Sequence, residues 1–401
     1  MKFQKLPGFR DFWPEEMARR RHIEAAWHAA ARGAGFEEID GPPLESLDLF
    51  KAKSGDAIVE ELYAFRDKGE REVALRAELT PTVARMVAER AATLKKPVKW
   101  YGVPQLFRYE RQQRGRLREH IQWNVDIFGA PEIAADAESV AVAVDALRRL
   151  GLTAKEVSVR VYDRRLLERV LADLSVPDPL RACQLIDKGA VDDDAKALEV
   201  LDRERLSALR AWMAEPVRPE GEFGEFLAAC EDYGLAAFLE PDKRIVRGLA
   251  YYTGIVFEIF DRSRSLRAVA GGGRYDGLID QLGGAPLPAL GFGMGDVVLG
   301  ELLAEHGLLP ATPPRIDCVV VPIGEAMLGP ARRVVRLLRD AGVRAETHHA
   351  PAKVGKAIKA ADQAGARRVL LVGSEEWEQG SVRSKDLKSG EETVVHVERL
   401  P

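Results

Sequence analysis

A chain of 401 residues with 46% hydrophobic and 30% charged side chains and a formal net charge of −4 has the balance of a globular protein, and it is long for one domain. No apolar run approaches the ~20 residues a membrane helix needs, and MKFQKLPGFRDFWPEE has no apolar stretch behind its first basic residue, so a cytoplasmic protein is expected. The three cysteines, Cys183, Cys230 and Cys318, are far apart and form no CxxC pair, which argues against a disulfide framework or structural zinc, and the acidic balance leaves any nucleic-acid contact to local basic features.

The spacing of Met17, Ile23, Ala26 and Trp27 predicts a helix from about Glu15 to Gly33. GFEEIDGPPLESLDLF reads as a short strand broken by Pro42 and Pro43, which cannot donate to a ladder. Strands are expected over Val73–Leu75 and Val98–Arg108, separated by the helix TPTVARMVAERAATL, where Thr80 and Pro81 suit a cap and first turn. IQWNVDIFG alternates apolar and polar residues as a half-buried strand does. Beyond Ala130 the pattern turns helical, through EIAADAESVAVAVDALRRLG and a Leu-, Ala- and Glu-rich interval from about Leu166 to Leu239, read as an inserted module that includes one or two surface-facing helices. Strand signals resume at Val246, run through RGLAYYTGIVFE and LRAVAGGGRYDG, and end in ALGFGMGDVVLGELLAEHG, where glycines lead into a helix. LLPATPPR marks a linker. After it, IDCVVVPI, MLGPARRVVRLLRDAG, RAETHH, AKVGKAIKAADQAGA and RRVLLVG alternate as a small α/β domain with a largely parallel sheet would.

Five arginines, Arg108, Arg111, Arg114, Arg116 and Arg118, fall within 11 residues between two strand-like segments. An arginine-rich loop by itself is a solvated turn. Its flanks change the reading, because Gln122, Asn124 and Asp126 share one face of the second strand. A face that gathers amides and carboxylates is a poor core and a suitable floor for a polar ligand. Arg247, entering a strand of the same sheet, needs an anion beside it, either a protein carboxylate or a ligand phosphate. Tyr251 and Tyr252 are expected on opposite faces of that strand. The glycines of AVAGGGRYDGL allow close approach of a ligand or a neighbouring strand, and no GxxxxGK[ST] loop is present. Lys353, Lys356 and Lys359, three residues apart, share a helix face that is solvated by default and able to meet phosphates.

Across essentially the whole chain, the order of these motifs resembles the class II aminoacyl-tRNA synthetases and, within them, the histidyl-tRNA synthetase family. GFEEIDGPPLE, with Pro42, resembles motif 1, the dimer-forming element, and FRYERQQRGRLREH resembles motif 2. RGLAYYTG and GGGRYDG are similar to the two histidine-specific signatures, and the last domain resembles the anticodon-binding domain. The resemblance implies an α+β catalytic domain with a mainly antiparallel sheet, in two parts at residues 1–165 and 241–307. A helical insertion at 166–240, a linker at 308–314 and a C-terminal α/β anticodon-binding domain at 315–401 complete the expected organisation. It implies a homodimer whose partners are ATP, L-histidine and tRNA(His), with Mg2+ entering alongside ATP and no protein-held metal.

Roles carried over from the family follow residue by residue. Arg108 would hold the ATP α-phosphate, Arg247 would reach it from the opposite side as a catalytic and histidine-site residue, Arg116 would reach the far phosphates, and Glu110 would contact the adenine side. Glu78 would hold the histidine α-ammonium with Leu79 and Thr80 beside it. Gln122 and Asp126 would make further amino-acid contacts, and Tyr251, Tyr252 and Tyr275 would surround the imidazole. Lys353, Lys356 and Lys359 would face tRNA. Two positions depart from the family pattern: Val298 stands where motif 3 has an arginine, and Ala250 where the RGLDYY signature has aspartate. They keep open a second reading, a non-aminoacylating paralogue such as the regulatory subunit of ATP phosphoribosyltransferase, although such subunits typically lack the anticodon domain and degrade the histidine signatures.

Overall fold

Glu119–Phe128 is the longest of the described strands and assigns the two faces of the sheet. Successive side chains alternate, so Ile121, Trp123, Val125 and Ile127 are at most 1% exposed in the core, while Gln122, Asn124 and Asp126 line a cavity on the other face. The sequence pattern predicts a half-buried strand; Asn124 and Asp126 are instead buried. Other protein groups pack over these two side chains, so the polar residues mark a recessed cavity and not an exposed surface.

The structure, a computed structural model, describes residues 3–109, 115, 117–246, 251–311 and 315–400. The chain divides into two compact units, Met1–Pro310 and Ala311–Pro401. Among the described residues of the first, nine strands form one sheet. Its order is Glu37–Glu38, Val98–Gly102, Glu119–Phe128, Ala289–Gly295, Ala270–Arg274, Ile255–Asp261, Val157–Asp163 and Leu239–Pro241, with Gln105–Phe107 paired to the start of Glu119–Phe128. Only the two outermost pairs run parallel. The sheet is the mainly antiparallel one expected.

Several elements differ from the sequence reading for local reasons. Val98–Arg108 splits into two strands around Pro104, which has no N–H to give the ladder. PPLESLDLF is a strand at Leu44–Ser46 and then a helix at Leu47–Ser54, where the Ser46 hydroxyl accepts from the Asp48 amide. Leu44–Ser46 joins Glu72–Leu75 and Ala64–Arg66 in a separate three-stranded sheet. Thr80 is the first residue of helix Thr80–Arg90 and not its cap, which is Leu79 without a side-chain bond. VSVRVYD, inside the stretch read as helical, is the strand Val157–Asp163, closed off on either side by longer helices.

Helix Pro14–Gly33 covers the apolar face: Trp27 stacks on Trp123 at 6.1 Å, and its indole N–H donates to the Met294 sulfur at 3.2 Å. The helical interval is filled by Arg164–Asp173, Pro179–Asp187, Arg203–Ala214 and Gly221–Asp232. Arg203–Ala214 buries Leu206 and Leu209, so it is not wholly surface-facing. In the second unit the strand order is Ala345–Thr347, Cys318–Pro322, Arg368–Val372, Ser381–Asp386 and Glu392–His396. The first three are parallel, as expected, whereas the last two form an antiparallel hairpin. Its outer strand is largely exposed and carries little apolar signal. All three cysteines are buried.

One buried ion pair ties the sheet to the helix Ile133–Arg149. Arg274, at the end of the strand Ala270–Arg274, donates from Nε to both Asp136 carboxylate oxygens at 3.2 and 3.1 Å, and from its other nitrogens to the carbonyls of Ala130 and Glu132 at 3.1 and 3.3 Å. Replacing Asp136 with Ala removes the main counter-charge of a buried arginine and leaves it only the more exposed Asp276, 3.4 Å away. The expected loss is about 3–5 kcal/mol, to be read as a lowered urea midpoint, with Asp136→Asn losing less.

Candidate active site

Two adjoining cavities open on the polar face of the central strand. The more enclosed, of about 150 Å³, is lined by Glu78, Thr80, Asn124, Asp126 and the three tyrosines Tyr251, Tyr252 and Tyr275. The second, of about 200 Å³, is lined by His120, Arg267, Val297 and Val298 with Ala268, Val269 and Ala270. Arg108, Gln122, Gly271 and Gly293 border both.

Room for these cavities comes from strand register. Asp126, Asn124 and Gln122 stand opposite Gly291, Gly293 and Gly295, and the next strand places Gly273 and Gly271 opposite Gly291 and Gly293. Residues directly opposite in an antiparallel pair share a face, so a row of polar side chains runs beside a floor without side chains. A Cβ added at Gly291 would stand 2.9 Å from both the Asp126 carboxylate and the Tyr275 hydroxyl, and one at Gly293 would stand 2.5 Å from the Gln122 amide nitrogen. Alanine at either position would collide with the residues that line the cavity.

The enclosed cavity is densely hydrogen-bonded. Tyr275 donates its hydroxyl to the Asp126 carboxylate, and Gln122 donates to Asn124 at 3.1 Å. Burial pushes Asp126 up to about 7, aided by the neighbouring charge of Glu78, while Tyr275 and Lys53 pull the other way. Burial, and then Asp126, hold the Tyr275 phenol well above its ordinary range. Lys53 forms an ion pair with Glu78 and sits over the Tyr251 ring at 4.2 Å. Arg108 is anchored by donation from Nε to the Ala77 carbonyl at 3.0 Å. Burial and then the Arg108 charge push His120 down to about 4, so its imidazole is neutral at pH 7.

Eight residues singled out from the sequence meet here: Glu78, Thr80, Arg108, Gln122, Asp126, Tyr251, Tyr252 and Tyr275. The tyrosines reach the cavity differently from the expectation. The strand begins only at Ile255, and Tyr251 and Tyr252 precede it in a turn, side by side with ring centroids 4.3 Å apart and 5.9 and 6.3 Å from Tyr275. Opposite faces apply only inside a strand. Leu79 is fully buried in the main core. Arg247, Glu110 and Arg116 lie outside the described residues, as do Arg111, Arg114 and Ala250. Lys353, Lys356 and Lys359 are exposed in the second unit, with Lys353 capping helix Val354–Gln363 and the other two within it.

The structure adds Lys53, His120 and Arg267. Lys53 follows Phe50 by three residues on the buried side of helix Leu47–Ser54, a signal hidden by reading that stretch as a strand. The chemistry of the two cavities differs. The first offers two carboxylates, amides and phenols, suited to a small ligand rich in N–H groups. The second presents Arg108 and Arg267, and no carboxylate is among the described residues that line it, which suits an anion. Among the described residues no group of three His, Cys, Asp or Glu side chains could hold a metal ion.

Comparison with known proteins gives consistent matches. The family model described as Histidyl-tRNA synthetase matches residues 8–218 and 193–295, and the model described as Anticodon binding domain matches residues 317–401. The histidine–tRNA ligase of Opitutus terrae is 42% identical over 99% of this chain and 97% of its own length. The chloroplastic/mitochondrial histidine–tRNA ligase of Arabidopsis thaliana is 39% identical over 98% of this chain and 85% of its own. Among solved structures, histidyl-tRNA synthetase from Nostoc sp. PCC 7120 shares the fold with a TM-score of 0.82 at 22% identity, covering 100% of this chain and 99% of that one.

Asp126 makes stability depend on pH in a defined direction. Its pKa rises from the ordinary 3.8 to about 7 on folding, so between those values the folded state holds a proton that the unfolded chain has released. Stability from this group therefore falls as pH rises from about 4 to about 7. Asp126→Asn cannot ionise, so the urea midpoint of the unsubstituted protein relative to the variant should decline across that interval; a constant difference would mean that Asp126 stays charged throughout.

Proposed function

Since the chain belongs to the histidyl-tRNA synthetase family, we propose that it is a histidine–tRNA ligase that charges tRNA(His) in two steps. In the first, a histidine carboxylate oxygen bonds to the α-phosphorus of ATP as the bond to the bridging oxygen breaks, giving histidyl-adenylate and pyrophosphate. In the second, the terminal ribose hydroxyl of tRNA takes the histidyl group and AMP leaves. The observation that carries this reading is the pair of cavities sharing Arg108: one is lined for an amino acid and the other for an anion. The reaction requires those two ligands to meet.

Roles follow from this arrangement and from the family motifs. Glu78 receives the α-ammonium of histidine, displacing part of its pairing with Lys53, with Leu79 and Thr80 shaping the start of that helix. Gln122, Asp126, Tyr251, Tyr252 and Tyr275 surround the imidazole. A site whose buried groups bond a ligand's ring nitrogens rejects analogues that lack them, since its own polar atoms would be left unpaired. Arg108 holds the α-phosphate. The family motifs assign Arg247 to its other side, Arg116 to the far phosphates and Glu110 to the adenine. Forked guanidinium donors match phosphate oxygens and stabilise charge that grows in the transition state. Mg2+ would arrive held by the phosphate oxygens of ATP itself.

The same reading assigns residues 1–165 and 241–307 to catalysis, 166–240 to the insertion, 308–314 to the linker and 315–401 to anticodon binding. It also assigns a homodimer built on the motif 1 segment, and a place in the cytoplasm.

Histidine-dependent ATP–pyrophosphate exchange without tRNA tests the proposal. Exchange with histidine, and not with other amino acids, is expected. A folded protein that binds histidine but gives no exchange would instead be the non-aminoacylating paralogue. For the second unit, changing Lys353, Lys356 and Lys359 together to Glu should raise KM for tRNA in aminoacylation and leave exchange intact; an unchanged KM would remove these lysines from the tRNA surface.

A further inference from the structure

The second cavity has a position that would be expected to carry positive charge and does not. Val298, in the first turn of helix Asp296–Glu305, is apolar and buried where it borders the cavity. Arg267 borders the same space from the segment before the strand Ala270–Arg274. Register places it there: Ala270 pairs with Met294, and the Gly295 amide donates to the Val269 carbonyl at 3.3 Å, so this segment runs beside the start of that helix. A Cβ added at Gly115 would stand 3.2 Å from Val298 Cγ2 and 3.8 Å from Arg267 Cδ. One spot on the arginine-rich loop is thus touched by both side chains.

The charge pattern around Arg267 is that of a waiting anion site. Its side chain is exposed, and among the described residues none forms a hydrogen bond or ion pair with it. No carboxylate is among the described residues lining the cavity, and His120 is neutral at pH 7. The positive charge supplied by the described lining residues therefore comes from Arg108, beside the amino-acid cavity, and from Arg267, beside Val298.

We propose that Arg267 grips the distal phosphates of ATP, supplying from the loop before the strand Ala270–Arg274 the charge that Val298 does not supply from the helix. This rests on reading the cavity as the ATP site. When the bond from the α-phosphorus to the bridging oxygen breaks, the electron pair leaves with pyrophosphate, and the negative charge on that group grows. A guanidinium aimed at it lowers the barrier as well as binding the ground state.

The test uses the full chain with Arg267→Ala, Arg267→Lys and the double variant R267A/V298R. R267A should lower kcat/KM for ATP in histidine-dependent exchange by about 10- to 100-fold, the size of a lost charge-assisted hydrogen bond. Histidine affinity and inhibition by AMP, which has no distal phosphates, should not change. R267K should retain part of the activity, and R267A/V298R should recover part of the loss by returning a guanidinium from the helix side. Unchanged kcat/KM for ATP in R267A, or an equal loss for ATP and AMP, would overturn the proposal. Absence of exchange in the unsubstituted protein would count against the ligase reading alone. Calorimetry would then decide Arg267, since the proposal requires R267A to weaken ATP binding and spare AMP, and equal binding of ATP before and after substitution would refute it.

Discussion

The candidate site depends on one constraint, the register between Glu119–Phe128 and Ala289–Gly295. It sets Gln122, Asn124 and Asp126 against three glycines, so the sheet's polar row has empty space beside it. A shift of one residue would turn the whole row into the core and bring Trp123 and Val125 out over the cavity. Stacking of Trp27 on Trp123 on the opposite face opposes that shift. The apolar side of the strand therefore fixes the position of the polar side.

Within that space, charge is held in a costly state. Asp126 and Tyr275 are both buried and share a hydrogen bond, and burial moves both groups toward their protonated forms. Glu78 is held by Lys53, whose side chain is almost wholly enclosed. Buried polar groups of this kind seldom improve stability over an apolar core. Under the proposed reading, a bound amino acid would complete their hydrogen bonds. Arg274, from the glycine-rich signature, and Asp136, on the helix Ile133–Arg149, serve a structural purpose: they anchor the strand to that helix and do not line either cavity.

Much of this was legible in the sequence because it was written as alternation. IQWNVDIFG and ALGFGMG each change character at every second residue, and those two patterns mark the polar row and the bare floor. The strand Val157–Asp163 was missed because helices close it off on both sides, and the hairpin ending at His396 because its outer strand has almost no buried face. Lys53 and Arg267 were missed for other reasons. Lys53 has helical spacing from Phe50 that a strand reading of its neighbourhood hides, and Arg267, in a loop before a strand, belongs to no periodic pattern and arrives through tertiary packing. The turn holding Tyr251 and Tyr252 was misread as strand because tyrosine and threonine favour strands locally, while the ladder starts only at Ile255.

The pairing of these two strands also has a consequence in time. A ribosome delivers Glu119–Phe128 long before Ala289–Gly295, with most of the first unit emerging between them. Until the later strand arrives, the earlier one has Val98–Gly102 on one side and an open ladder on the other. Closing a contact so distant along the chain is slow relative to local helix formation. The nascent protein therefore has helices and two unjoined parts of the sheet before it has either cavity, and no fragment ending ahead of Ala289 can hold the site's floor.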